Sequence, residues 1–397
     1  MSFDLATIAS RIDELVQSVD SGLEQERFDA LRSVWTRIDA HDVTVRLSTV
    51  GARTSFLVAG GRDDYRQRVP LPPIPRHYTL AATDGSMIVP DRHSPARFYL
   101  INIGKVLLEY GELSRADLTS ESDLRFEERD LFVPDDVRRI PVNETILGLR
   151  RAAMELRTAS EMIANAPGPA MALLDGTLIL WSLQSQDKGI IEWIISEYVD
   201  ALETFRHQRM PVASYISSPG SSDVMNAARV AICDYPDQGL PINCDACRHR
   251  IRTENRMPRC DILPSVPDRY LMDRIASLQP GERTALFESR STILGRYPAW
   301  QQIRFFYVHT GREIGRVEVP AWVADEPDMV DLVHCVVVDQ CDRGRGYPVA
   351  LQEAHEMAVL AMRDRRLIEE TIERRLAGMG IVMMRTGKDG SKRGRFV

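Results

Sequence analysis

The sequence has no unbroken apolar run of about 18 residues, so no membrane-spanning helix is expected. It has no internal repeat and no low-complexity tract. It lacks an excess of positive charge: 57 acidic residues outweigh 50 basic ones, for a formal net charge of −7. Overall charge therefore does not advertise a nucleic-acid partner, although a local basic surface can hold a phosphate backbone on an acidic protein. Cysteine is scarce, at six residues. The opening stretch MSFDLATIASRIDELV reads as an amphipathic helix with acids rather than as a signal peptide. A reducing, cytoplasmic setting is expected, with cysteines that are free or metal-bound.

At 397 residues, 44% hydrophobic and 27% charged, the chain can bury a large core and allows two or three domains. Residues 3–40 hold two amphipathic helical patterns, the first marked by Leu5, Ile8, Ile12 and Leu15. The proline-rich RVPLPPIPRHY at 68–78 can be neither regular helix nor central strand, and a boundary is placed there. Three strands in a meander are expected next: YTLAATDGSMIV, ARFYLINIGKVLLEYG and SDLRFEERDLFV. A helix over 143–164 leads into a fourth strand, AMALLDGTLILWSL at 170–183. Beyond it come helices over 189–208 and 222–233, a short strand at 211–217, an irregular stretch to 265, and a helix near 268–278. A hairpin turns around Thr310-Gly311, and helices follow over about 325–341 and 348–377. The order βββ-α-β-α with further helices is what an RNase H-like mixed sheet flanked by helices gives. The expected architecture is α/β, with a helical arm over 1–70 and a core over 71–385. That core would carry a cysteine-bearing irregular segment at 233–265, and a basic tail would occupy 386–397.

Two aspartates interrupt strand-like apolar runs in the same way, Asp84-Gly85 and Asp175-Gly176, ninety-one residues apart. A charge in a core strand is costly unless paired, so two strands could deliver carboxylates to one metal site. Asp-Gly is equally a strong hairpin signal, and for Asp175 the turn reading is a fair one. Glu155 lies at the edge of the apolar stripe of its helix, beside small residues; it is either a solvated boundary residue or an acid aimed at the Asp175 strand. Three carboxylates on separate elements would suit divalent cations with hard oxygen ligands. His355 sits among Leu351, Ala358, Val359 and Met362, where a core histidine is the plainer explanation, and Tyr347 precedes a helix-starting proline. Cys233, Cys244, Cys247 and Cys260 form C-x10-C-x2-C-x12-C with His249 nearby, an arrangement open to structural zinc or to free thiols in a loop. Cys335 and Cys341 should pack in a helix. Arg316 and Glu318 read most simply as a surface pair on a strand. The tail RTGKDGSKRGRFV could touch phosphates or stand solvated.

Together AATDGSM (81–87), the helix bearing Glu155, ALLDGTL (172–178), the FFYV…RVEVP hairpin and GYPVALQEAHEMA (346–358) resemble the NurA nuclease family. The last of these is the most specific. The resemblance implies an RNase H-like core, Mn²⁺-dependent (or Mg²⁺-dependent) cleavage of DNA, a homodimer, and partnership with a HerA-type hexameric translocase in DNA end processing. By motif, it implies metal ligation by Asp84, Glu155, Asp175 and His355, with Tyr347 as neighbour. The cysteine segment does not carry over from the family, so any zinc there rests on its spacing alone. A non-catalytic clamp on a DNA translocase is the alternative from another class, and an RNase H-like ribonuclease is the alternative enzyme.

Overall fold

A computed structural model describes residues 5–17, 21–91, 96–134, 139–235, 241–254 and 258–380. The basic tail expected at 386–397 lies outside them. The chain divides into two compact units, one of residues 1–71, 216–291 and 304–317, the other of residues 72–215, 292–303 and 318–397. The division at 71/72 falls inside the proline-rich stretch. Among the described residues no helix is long and apolar enough to cross a membrane.

The first unit gathers the N-terminal segment with later parts of the chain. Leu31, Val34, Trp35 and Val43 from two early helices, Ser21–Trp35 and Ala40–Ser48, enter one core together with Ile38 from the connection between them. They share it with Val224, Met225, Leu271, Phe287, Phe305 and Tyr307. Asp39 caps the second helix by accepting the amides of His41 and Asp42. The segment 234–265, read from sequence as irregular, contains a helix at Cys244–Glu254. None of its residues is buried, so no apolar stripe betrayed it.

The second unit is an α/β layer structure of the RNase H-like kind. Among its described residues are the sheet strands β1 (Tyr78–Ile88), β2 (Tyr99–Tyr110), β3 (Arg115–Arg125), β4 (Ala170–Asp175) and β5 (Val212–Ile216). Their order is β3-β2-β1-β4-β5. The meander β1–β2–β3 is antiparallel, and β4 and β5 add in parallel. Helices α1 (Glu144–Ile163) and α2 (Lys188–Gln208) supply the parallel crossovers. The first six residues of β1 are all buried, without alternation, as expected for a central strand covered on both faces. After them come α3 (Pro327–Arg343), α4 (Val349–Ala358) and α5 (Met362–Gly378). Cys335 and Cys341 are buried on α3.

Three sequence expectations need correction. The third strand lies at 115–125, not 122–133, because it is a solvated edge strand with no apolar face to read. The fourth strand stops at Asp175; TLILWSL is irregular and then a short 3₁₀ turn, although Leu178, Ile179, Leu180 and Leu183 still enter the core. The helix expected over 348–377 is two helices. It breaks at 359–361, where Asp364 accepts the Ala361 amide and starts α5 anew.

Candidate active site

In the parallel β1–β4 ladder Thr83 stands opposite Leu174. Asp84 and Asp175 each follow by one residue, so the two aspartates sit level on neighbouring strands. Asp175 is the last residue of its strand, followed by Gly176 at φ 84°, and is exposed. Asp175-Gly176 is therefore a strand terminus rather than a hairpin turn. Thr177 hydroxyl and the Leu178 amide both donate to the Glu318 carboxylate, at 2.7 and 2.9 Å. Glu318 is buried and fixes the path of the chain leaving Asp175. Arg316 is buried too, but it donates to Asp223 at 3.1 Å. The expectation of a surface pair is corrected: both side chains are buried, and each serves a buried partner.

Glu155 projects from α1 onto β1. A Cβ at Gly85 would lie 2.6 Å from Glu155 Oε1 and 2.7 Å from Arg151 Cγ, so the bare glycine leaves the space these two α1 side chains occupy. Arg151 Nη1 donates to the Gly85 carbonyl at 2.7 Å. Its Nε lies 3.1 Å from Glu155 Oε1, but the pair is not aligned as a hydrogen bond, and neither of those two atoms is in one. Burial pushes the Glu155 carboxyl up to about 8; Arg151 opposes, while the charges of Asp84 and Asp175 push it further. Glu155 thus feels both aspartates and is not the solvated boundary glutamate that its helix position also allowed.

The opposite face of β1 carries α4. Side chains alternate along a strand. Thr83 hydroxyl reaches the α1 carbonyl of Glu155 at 3.0 Å, whereas Ser86 hydroxyl donates to the Ala358 carbonyl at the end of α4. Asn102 on β2 donates to that same carbonyl at 2.8 Å and accepts from Ser122 at 2.7 Å. Thus pinned, α4 sets His355 Nδ1 2.8 Å from Asp84 Oδ2. His355 is 66% exposed, so the apolar-face reading fails; the helix ends before Val359 and Met362 could enclose it. Tyr347 hydroxyl donates to Asp175 Oδ1 at 2.7 Å, and its ring meets Tyr215 edge-on with centroids 5.9 Å apart. Burial, then the hydrogen bond to Asp175, raises the Tyr347 hydroxyl far above its ordinary range, so it stays a donor.

The structure thus brings Asp84, Glu155, Asp175, Tyr347 and His355 to one end of the sheet. Among the described residues no three His, Cys, Asp or Glu close around a common point tightly enough to grip an ion as the side chains stand. The donor set nevertheless suits a hard divalent cation: carboxylate oxygens from three elements, one of them buried and out of any hydrogen bond. Sequence reasoning missed Gly85 as a contact surface, together with Gly104, Arg151, Ser86 and Asn102. Arg151 and Glu155 had a signal, being oppositely charged at i, i+4. Gly104 offered only a glycine inside a strand pattern, which can mark close backbone approach. Cys233, Cys244, Cys247 and Cys260 lie in the first unit and are no part of this site.

A family model described as "NurA domain" matches residues 78–360. No curated protein matches the chain. Among solved structures, the chain is similar to LC9-RNase H1, a type 1 RNase H with the type 2 active-site motif. That match has 12% identity and a TM-score of 0.22, over 49% of this chain and 96% of that one. It is also similar to Drosophila Piwi, with 11% identity and a TM-score of 0.25, over 70% of this chain and 29% of that one. Likeness at that level carries no functional argument.

Proposed function

The chain belongs to the NurA domain family, and from that premise we propose that this nuclease hydrolyses phosphodiester bonds of DNA with a divalent cation held at the sheet end. The observation that carries the reading is the level placement of Asp84 and Asp175 on adjacent parallel strands, with Glu155 approaching over Gly85. Those three carboxylates, with His355 beside Asp84, would hold Mn²⁺ or Mg²⁺. When bound, such a cation supplies Lewis acidity toward water and phosphate.

The chain's own groups prepare for it. Tyr347, kept protonated, fixes the rotamer of Asp175. His355 fixes Asp84, and Arg151 sets a positive charge against Glu155. Three acids placed to repel one another are costly in an adaptor that never binds a cation, which favours the enzyme over a non-catalytic clamp. The wider setting proposed is DNA end processing and double-strand break repair in the cytoplasm, by a homodimer working with a HerA-type hexameric translocase.

The test is digestion of linear DNA in Mn²⁺ or Mg²⁺ by wild type, Asp84→Ala and Asp175→Ala. Cleavage should be lost in both variants while each remains folded. Equal degradation by all three proteins would sink the site assignment. RNA and hybrid substrates in the same assay address the ribonuclease alternative, and co-purification with the translocase addresses the partner.

A further inference from the structure

The cysteines singled out by spacing converge in the first unit. Cys233 follows the helix Asp223–Ala231, Cys244 and Cys247 lie one turn apart on the helix Cys244–Glu254, and Cys260 sits in the turn Arg259–Ile262. All four line one cavity of about 30 Å³, with Phe56 and Arg229 also in its wall. No disulfide joins them. The backbone around them is anchored. The Cys244 amide donates to the Arg53 carbonyl at 2.9 Å, and the Arg53 amide to the Ile242 carbonyl at 2.7 Å. Asn243 caps the helix through the amides of Asp245 and Ala246, at 3.1 and 3.0 Å. Arg46 Nη1 holds the Cys233 carbonyl at 2.9 Å.

One further observation, beside the four sulfurs, points to a cation. Beside them in the cavity wall, Arg229 Nε is buried and in no hydrogen bond, whereas its Nη2 donates to the Pro264 carbonyl at 3.0 Å. A buried N–H left over next to sulfur is what a thiolate accepts.

We propose that Cys233, Cys244, Cys247 and Cys260 form a structural site for one thiophilic divalent cation, zinc, separate from the carboxylate site. The sulfurs ring the cavity without closing on a common point. Binding would turn them inward to Zn–S distances of about 2.3 Å. The cavity has room for one atom-sized occupant. As each S–Zn bond forms, its thiol gives its proton to solvent, so four protons leave in all. The resulting charge of −2 is offset by the guanidinium groups of Arg229 and Arg46. The ion would tie the helix Cys244–Glu254 and the turn Arg259–Ile262 to the end of the helix Asp223–Ala231.

The test uses the full chain purified without chelator. Elemental analysis should find one zinc per chain in wild type and in Asp84→Ala, and less than a tenth of that in Cys244→Ser and Cys247→Ser. Should the cysteine variants fail to fold, wild type itself decides. After zinc removal under reducing conditions, one equivalent of Co²⁺ should produce thiolate-to-cobalt charge-transfer bands, the visible bands of a tetrahedral site, and release of about four protons. Zinc-free wild type that gives no thiolate–cobalt band overturns the proposal. So does zinc that remains in folded Cys244→Ser and disappears in Asp84→Ala.

Discussion

Gly104 stands opposite Asp84 in the β1–β2 ladder, and a Cβ at Gly104 would lie 2.2 Å from the Ala354 carbonyl oxygen. The same Cβ would lie 2.6 Å from the Ala358 amide. Both neighbours are backbone of α4, so neither can swing aside. The missing side chain lets α4 descend until His355 reaches Asp84. In Gly104→Ala the helix must lift, at an overpacking cost of about 1–3 kcal/mol. Nuclease activity should fall further than that loss of stability explains, because the 2.8 Å His355–Asp84 contact is broken. Urea unfolding and cleavage rates, measured at a temperature where the variant stays folded, check this. Full activity in a folded Gly104→Ala would show that the contact does not matter.

Removing the Tyr347 hydroxyl tests its hold on Asp175 separately. Tyr347→Phe keeps the edge-on contact with Tyr215 and deletes only the 2.7 Å hydrogen bond. Stability should move by no more than about 1 kcal/mol. Partners that orient ligand carboxylates typically matter by about 10–100-fold in metal affinity or activity. The half-saturating Mn²⁺ concentration for cleavage should rise within that range. An unchanged metal requirement would make Tyr347 a packing residue only.

Much of this site was legible because its residues advertise themselves locally. The aspartates interrupt apolar runs, Tyr347 precedes a proline-started helix on which His355 lies, and Glu155 stands at the edge of an apolar stripe. What stayed hidden depends on partners distant in sequence. Gly104 has meaning only against Ala354, and Asn102 only against Ala358. Leu178–Leu180 look like strand because they are buried; nothing local reveals that Glu318, 140 residues on, captures the Leu178 amide. The edge strand at 115–125 escaped for the opposite reason, since a strand buried on neither face has no pattern to show.

Glu318 therefore carries a prediction of its own. Glu318→Ala leaves the buried Leu178 amide without its acceptor and the Thr177 hydroxyl without its partner. A loss of about 1–3 kcal/mol is expected, with the segment after Asp175 loosened. Hydrogen exchange should show faster exchange at Leu178 and Ile179 than in wild type, while the amides of β1 keep their protection. If β1 and the 178–179 segment change together, Glu318 acts on the whole sheet rather than on the exit from Asp175.

The raised Glu155 carboxyl makes the stability of the metal-free protein depend on pH in a defined direction. Its value moves from an ordinary 4.5 to about 8 on folding, because burial and the two aspartates disfavour its charge. The folded state therefore holds this proton where the unfolded state has lost it. The stabilisation is fully present below about pH 4.5 and is lost as pH rises towards 8. At about 1.4 kcal/mol per unit the whole effect is of the order of a few kcal/mol. In chelator, wild type should lose stability through this window, and Glu155→Gln, which stays neutral, should lose less. A cation at the site reverses the preference by favouring the charged form, so the stability gained on adding Mn²⁺ should grow from pH 5 to pH 8. Denaturant unfolding at several pH values, with and without Mn²⁺, measures both slopes. A Mn²⁺ gain that is the same at pH 5 and pH 8, or identical in Glu155→Gln, would place the cation away from Glu155.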